Sequence, residues 1–228
     1  LSYATGSHLP PPPPRSALPI GPTPVFVIHC EVRMLKSLKL PFTFDPARLK
    51  ADVDALLPDD WVPHFNTSYY EGDWSGAALR SVGGVARQLY PDPTAVEDFA
   101  DTSILARCPY MQEVLATFEC HLQSVRLLRL AARSSIREHK DFRLGFEDGE
   151  VRLHVPVYTN PDVAFFLDGE RLDMREGECW YLNLNLRHRV ENQSATDRVH
   201  LVIDCTVNDW LRSLFPQEMR ALPVTPRI

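Results

Sequence analysis

The chain has 228 residues, 44% of them hydrophobic, enough to bury one sizeable core, so a single domain behind an N-terminal extension is expected. A formal charge of −6 and a pI near 5.7 leave no basic face to meet a nucleic acid, and no run of about eighteen apolar residues exists to span a membrane. The five cysteines, Cys30, Cys108, Cys120, Cys179 and Cys205, are widely spaced, form no Cys-x-x-Cys, and read as reduced thiols of a cytoplasmic protein.

Residues 1–24 carry five consecutive prolines, Pro10 to Pro14, and no apolar periodicity. They read as a disordered Pro-rich tail, with the domain over 25–228. From Val25 to Phe44 the alternation predicts a strand followed by a second strand or a turn, with His29 structural. Asp45 then offers an N-cap and Pro46 a first helical position. Leu49, Val53, Leu56 and Leu57 fall on one stripe, as in a helix that buttresses a β domain from outside. Residues 61–84 concentrate aromatics, glycine and one arginine without a clean period. They read either as an ordered hairpin and loop at the mouth of a barrel or as a substrate wall. In the second case Arg80 grips a carboxylate and Trp74, beside Ser75, excludes water; His64 reads as a surface histidine. The Pro- and Asp-rich stretch 88–111 is expected to cover the site as a lid. It runs into a short helix opened by Pro109, with Met111, Val114, Leu115 and Phe118 on its apolar face.

From 124 to 206 the runs are short, rich in Val, Leu, Phe and Tyr, and broken by Asp-Gly, Asn-Pro and Glu-Gly pairs, the pattern of an antiparallel β domain. At its entry Arg126, Leu128 and Leu130 share one face and Leu127 and Arg129 the other, so one arginine faces inward; if it is Arg126, it contacts a second anion or forms a salt bridge. In His139-Lys140-Asp141 the alternation of a strand turns His139 and Asp141 to the same side. His188 follows 49 residues later in another strand-like run and supplies a third ligand from across the barrel. Two histidines and a carboxylate on one face of an iron leave the opposite positions open for chemistry; the same set also suits zinc. Arg198 lies ten residues beyond His188, and an inward guanidinium beside such a site suits a dicarboxylate. A closing amphipathic helix or turn is expected from 208, capped by Asn208 or Asp209, packed through Trp210, Leu211 and Leu214 and stopped by Pro216. No glycine-rich phosphate loop and no Gly-x-Ser-x-Gly occurs.

His139-Lys140-Asp141, the Arg152-Leu153-His154-Val155-Pro156 run, Gly-Glu-Cys-Trp-Tyr-Leu-Asn at 177–183, Arg187-His188-Arg189-Val190 and Arg198-Val199-His200-Leu201 together resemble the aspartyl/asparaginyl β-hydroxylase family. The chain is similar to its bacterial branch of free-proline hydroxylases, as is the Gly-Asp-Trp-Ser…Leu-Arg pattern at 72–80. The resemblance implies a mainly β, double-stranded β-helix fold of the jelly-roll, cupin-like kind with flanking helices. It also implies dependence on Fe(II), 2-oxoglutarate and O2. By position it makes His139 and His188, with Asp141, the metal ligands, Arg198 the partner of the far carboxylate of 2-oxoglutarate, and Arg152 and His154 lining for co-substrate and substrate. Animal members have a glycine where this chain has Asp141, a departure that places it nearer the bacterial branch.

With Arg80 and Arg152 as carboxylate contacts and no appended peptide-binding repeat, the expected partner is a small-molecule substrate, a free amino acid or metabolite. An aspartyl or asparaginyl residue in a peptide is the alternative. Two other classes share the ligand set: a non-catalytic cupin-like metal-binding protein and a zinc isomerase or hydrolase.

Overall fold

The computed structural model describes residues 35–90 and 98–224, all within one compact unit, Val32–Ile228. The Pro-rich tail, the strand expected from Val25, the tip of the expected lid at 91–97 and the last four residues lie outside the described residues.

Thirteen strands form two antiparallel sheets among the described residues. In chain order they are β1 (Ser37–Thr43), β2 (Val62–Pro63), β3 (Tyr70–Glu71), β4 (Trp74–Val82), β5 (Phe99–Asp101), β6 (Leu122–Leu130), β7 (Ser135–His139), β8 (Glu150–Tyr158), β9 (Val163–Leu167), β10 (Glu170–Leu172), β11 (Glu178–Leu182), β12 (His188–Asn192) and β13 (Arg198–Thr206). The larger sheet runs β1-β11-β8-β13-β6-β4-β2 with β5 beside β4, and the smaller runs β10-β9-β12-β7-β3. The two pack face to face as a double-stranded β-helix.

Side-chain alternation in the larger sheet makes two cores. The odd residues of β6, β8 and β13, such as Leu127, Leu153 and Leu201, join Leu49 and Val53 of α1 (Pro46–Asp54), Met111 and Val114 of α2 (Pro109–Leu115) and Leu211 of α3 (Asp209–Ser213) in the main hydrophobic cluster. The even residues point between the sheets, where Leu128, Leu130 and Val202 meet Ile136, Phe165 and Val190 of the smaller one. In the same even rows lie Arg126, Arg152, His154, Arg198, His200 and Asp204, so the polar site is the inner end of this second core.

The helices follow their local signals. Asp45 accepts from the backbone N–H groups of Ala47 and Arg48, and Pro46 opens α1. Asn208 caps α3 through Leu211 N–H. The stripe of α1 stops short of Leu57, which is exposed, and beyond Pro216 the chain turns into a further short helix, α4 (Gln217–Arg220). Residues 98–111 differ from the expected lid. They form β5, paired to β4, then a turn whose Ile104, Leu105 and Cys108 are buried in the main core. The stretch at 74–82 is a full strand, buried along most of its length on both faces, which removes the polar alternation by which a strand is recognised. Among the described residues no helix is long and apolar enough to cross a membrane.

Candidate metal centre and its cavity

His139 ends β7 and His188 begins β12, and the two are paired directly across the ladder, with ring centroids 4.2 Å apart. They are therefore neighbours within the smaller sheet rather than groups facing each other across the barrel. Asp141 lies just past the end of β7, outside the regular strand, and its N–H donates to Leu184 O at 2.9 Å. The three side chains nevertheless converge. Among the described residues, theirs is the one group of His, Cys, Asp or Glu that brings three ligand atoms within 4.8 Å of one another.

The tautomers suit a metal. His139 Nδ1–H donates to Arg137 O at 2.8 Å and His188 Nδ1–H to Leu186 O at 3.0 Å. A carbonyl only accepts, so Nδ1 carries the proton in both rings and each Nε2 keeps its lone pair for a cation. Burial holds His188 neutral, its pKa lowered to about 4. The donor set, two imidazoles and a carboxylate, fits Fe(II).

A cavity of about 260 Å³ opens over this trio. Its walls are apolar and aromatic: Trp74, Tyr90, Leu128, Ile136, Phe165 and Val190, with Phe65 and Phe142 exposed at the rim. His64, read from the sequence as a surface residue, is buried here. Its ring stacks on Trp74 at a centroid distance of 3.6 Å, its Nδ1 accepts from Asn66 N–H, and burial pushes its pKa down to about 4. The local sequence of alternating aromatics around a short β2 gave no sign of this stacking.

Arg198, 2% exposed, is the unusual group in the cavity wall. Its Nε and Nη2 are buried with no hydrogen-bond partner, and desolvation lowers its pKa to about 9. A buried guanidinium without a carboxylate calls for an anion from outside. His154 lies in the same wall with Nε2 unpartnered, while its Nδ1 is 3.4 Å from Nδ1 of His200 behind it. Burial holds both imidazoles neutral. The cradle, a cation and an open imidazole nitrogen beside the metal trio, fits the dicarboxylate 2-oxoglutarate.

Three arginines behave differently from one another. Arg126 faces the cavity, paired with Asp204 and donating to Leu89 O at 2.6 Å, but its buried Nε has no partner. Arg152 also reaches the cavity, and all three of its nitrogens donate to Asp204 or Asp141. Arg80 is not brought to the site. Its nitrogens donate to Leu122 O at 3.0 Å, Asp101 Oδ1 at 2.6 Å and Phe99 O at 2.7 Å. In an unbroken strand Arg80 would share the face of Trp74 and Ala78, but the register shifts between Ala78 and Arg80 and breaks that row. Asp204 was not singled out in the sequence. The available signal was an acid inside the apolar stretch 201–205 of β13, which must be paired if buried.

The model of the aspartyl/asparaginyl β-hydroxylase family matches residues 45–207. The L-proline cis-4-hydroxylase of Rhizobium meliloti (strain 1021) is 30% identical over 166 residues, covering 71% of this chain and 57% of that protein. The L-proline cis-3-hydroxylase 1 of a Streptomyces species is 28% identical over 166 residues, covering 70% and 56%. The chain thus spans little more than half the length of these curated relatives. Among solved structures, the non-heme α-ketoglutarate-dependent carbocyclase SnoK of nogalamycin biosynthesis shares the fold, with a TM-score of 0.50 at 10% identity over 75% of this chain and 79% of that one. The chain belongs to the aspartyl/asparaginyl β-hydroxylase family.

Proposed function

We propose that this chain is an Fe(II)- and 2-oxoglutarate-dependent dioxygenase that hydroxylates an unactivated C–H bond of a small, carboxylate-bearing substrate, a free amino acid or similar metabolite. The observation that carries this reading is the buried, unpartnered guanidinium of Arg198 in the same cavity as the His139, Asp141 and His188 trio. A metal-storing barrel has no use for a desolvated cation beside its ligands, whereas an oxygenase uses it to hold its co-substrate. The proline hydroxylases among its relatives support an amino-acid substrate.

In this reading His139 and His188 offer Nε2 and Asp141 a carboxylate oxygen to the metal. Fe(II) with 2-oxoglutarate and O2 supplies the oxidising power for insertion of oxygen into carbon–hydrogen bonds. Arg198 pairs with the far carboxylate of the co-substrate and His154 Nε2 lies beside it. Arg126, through its free Nε, replaces Arg80 and Arg152 as the group that grips the substrate carboxylate. Trp74, Tyr90 and Phe165 wall the substrate's carbon skeleton and keep water from the reacting bond. The thiols of Cys108, Cys120, Cys179 and Cys205 are free, which accords with a cytoplasmic setting.

The test is succinate formation from 2-oxoglutarate, with Fe(II), ascorbate and O2, against free amino acids and Asp- or Asn-containing peptides. Turnover stimulated by a free amino acid and abolished in His188→Ala is expected. Stimulation by peptides alone would move the substrate to the peptide class, and metal binding without turnover would replace the enzyme by a binding protein.

A further inference from the structure

The two carboxylate oxygens of Asp141 have different surroundings. Oδ1 faces Nε2 of His139 at 3.9 Å, within the metal trio. Oδ2 accepts from Arg152 Nη1 at 2.6 Å. Arg152 is itself clamped from behind: Nε donates to Asp204 Oδ1 at 2.6 Å and Nη2 to Asp204 Oδ2 at 3.0 Å. Asp204 is buried in the inward row of β13 and also pairs with Arg126, which is anchored on Leu89 O. A fork-shaped guanidinium held at two nitrogens has no freedom left at the third.

We propose that Asp204, acting through Arg152, is a positioning residue that makes Asp141 present one oxygen, Oδ1, to the divalent cation shared with His139 and His188. This rests on the metal reading given above. A carboxylate bound through one oxygen takes one coordination position and through both takes two, so tying Oδ2 to Arg152 keeps a position free for ligands from solution. The arrangement runs carboxylate, guanidinium, carboxylate, metal: the outer groups aim the inner one.

Mn(II), which binds without being oxidised, is the probe. Its affinity is followed by electron paramagnetic resonance and its coordinated water by proton relaxation enhancement, in the wild-type chain and in Asp204→Asn, Arg152→Gln, Arg152→Lys and Asp141→Ala. Positioning predicts that Arg152→Gln and Arg152→Lys both lose coordinated water as Asp141 swings to bind through two oxygens, although only one of them changes the charge. Asp204→Asn is expected to lose water likewise and to weaken Mn(II) binding by about 10- to 100-fold. Arg152→Lys keeps a cation against Asp204 and so provides a mild variant should Arg152→Gln fail to fold. Water content equal to wild type in all three, with affinity merely following charge (tighter in Arg152→Gln, unchanged in Arg152→Lys, weaker in Asp204→Asn), would overturn the proposal. If the wild type binds no Mn(II), or Asp141→Ala binds it as well as wild type, the metal reading itself fails.

Discussion

Replacing Arg198 by methionine should make the ligand-free protein more stable while destroying the proposed co-substrate site. The side chain is 2% exposed, two of its nitrogens have no partner, and desolvation brings its pKa to about 9. Keeping a charge buried without a partner costs several kcal/mol. Part of this returns through packing of the aliphatic stem, which methionine retains, so a net gain of about 1–4 kcal/mol is expected in Arg198→Met. The sign with pH is fixed. Burial holds the folded-state pKa below that of the unfolded chain, so the penalty is full at neutral pH and lessens only toward alkaline pH. Urea unfolding at pH 7, with Mn(II) and with or without 2-oxoglutarate, is the assay. At a hundred times its dissociation constant 2-oxoglutarate should stabilise the wild type by about 2.7 kcal/mol and leave Arg198→Met unmoved. A ligand-free variant less stable than wild type by more than about 1 kcal/mol would refute the reasoning, because it would mean that Arg198 satisfies an internal partner.

Three further outcomes follow from the same structure. His64 stays neutral in the folded protein down to about pH 4, whereas an unfolded histidine protonates near pH 6.5. Stability should therefore fall as the pH drops through that interval, and His64→Phe should reduce the slope of ΔG against pH by up to about 1.4 kcal/mol per unit. Arg80→Ala removes three hydrogen bonds outside the cavity. It should lower stability by about 1–3 kcal/mol in denaturant titration and leave the substrate KM unchanged, and a raised KM would return Arg80 to the site. Gly177 has φ +78° and a Cβ there would lie 2.2 Å from Phe44 O, so Gly177→Ala should lower the urea midpoint by the equivalent of about 1–3 kcal/mol or more; an unchanged midpoint would show that the turn relaxes freely.

What the sequence discloses here is what depends on short-range alternation. His139, Asp141 and His188 were singled out by strand alternation and do converge, although the strand ends before Asp141, and Arg198 was singled out by its place ten residues beyond His188. The helix starts were legible through Asp45, Pro46, Pro109 and Asn208, whose caps are local chemistry. The misses are non-local. Arg80 lost its inward direction to a register shift that only the pairing of β4 with β6 creates. The meaning of Arg152 is set by Asp204, 52 residues away on the neighbouring strand, and His64 is packed against Trp74 and Tyr90, both distant from it in the chain. Asp141 itself was expected within a strand and sits beyond its end.

That last detail bears on how such a site changes over generations. The β ladder fixes the positions of His139 and His188, while position 141 lies beyond the strand and is tied to the sheet by an N–H bound to Leu184 O, which any residue but proline supplies. If Asp141 were exchanged for a residue without a carboxylate, Arg152 would still keep its two hydrogen bonds to Asp204. The third candidate ligand is thus a removable part on a permanent frame.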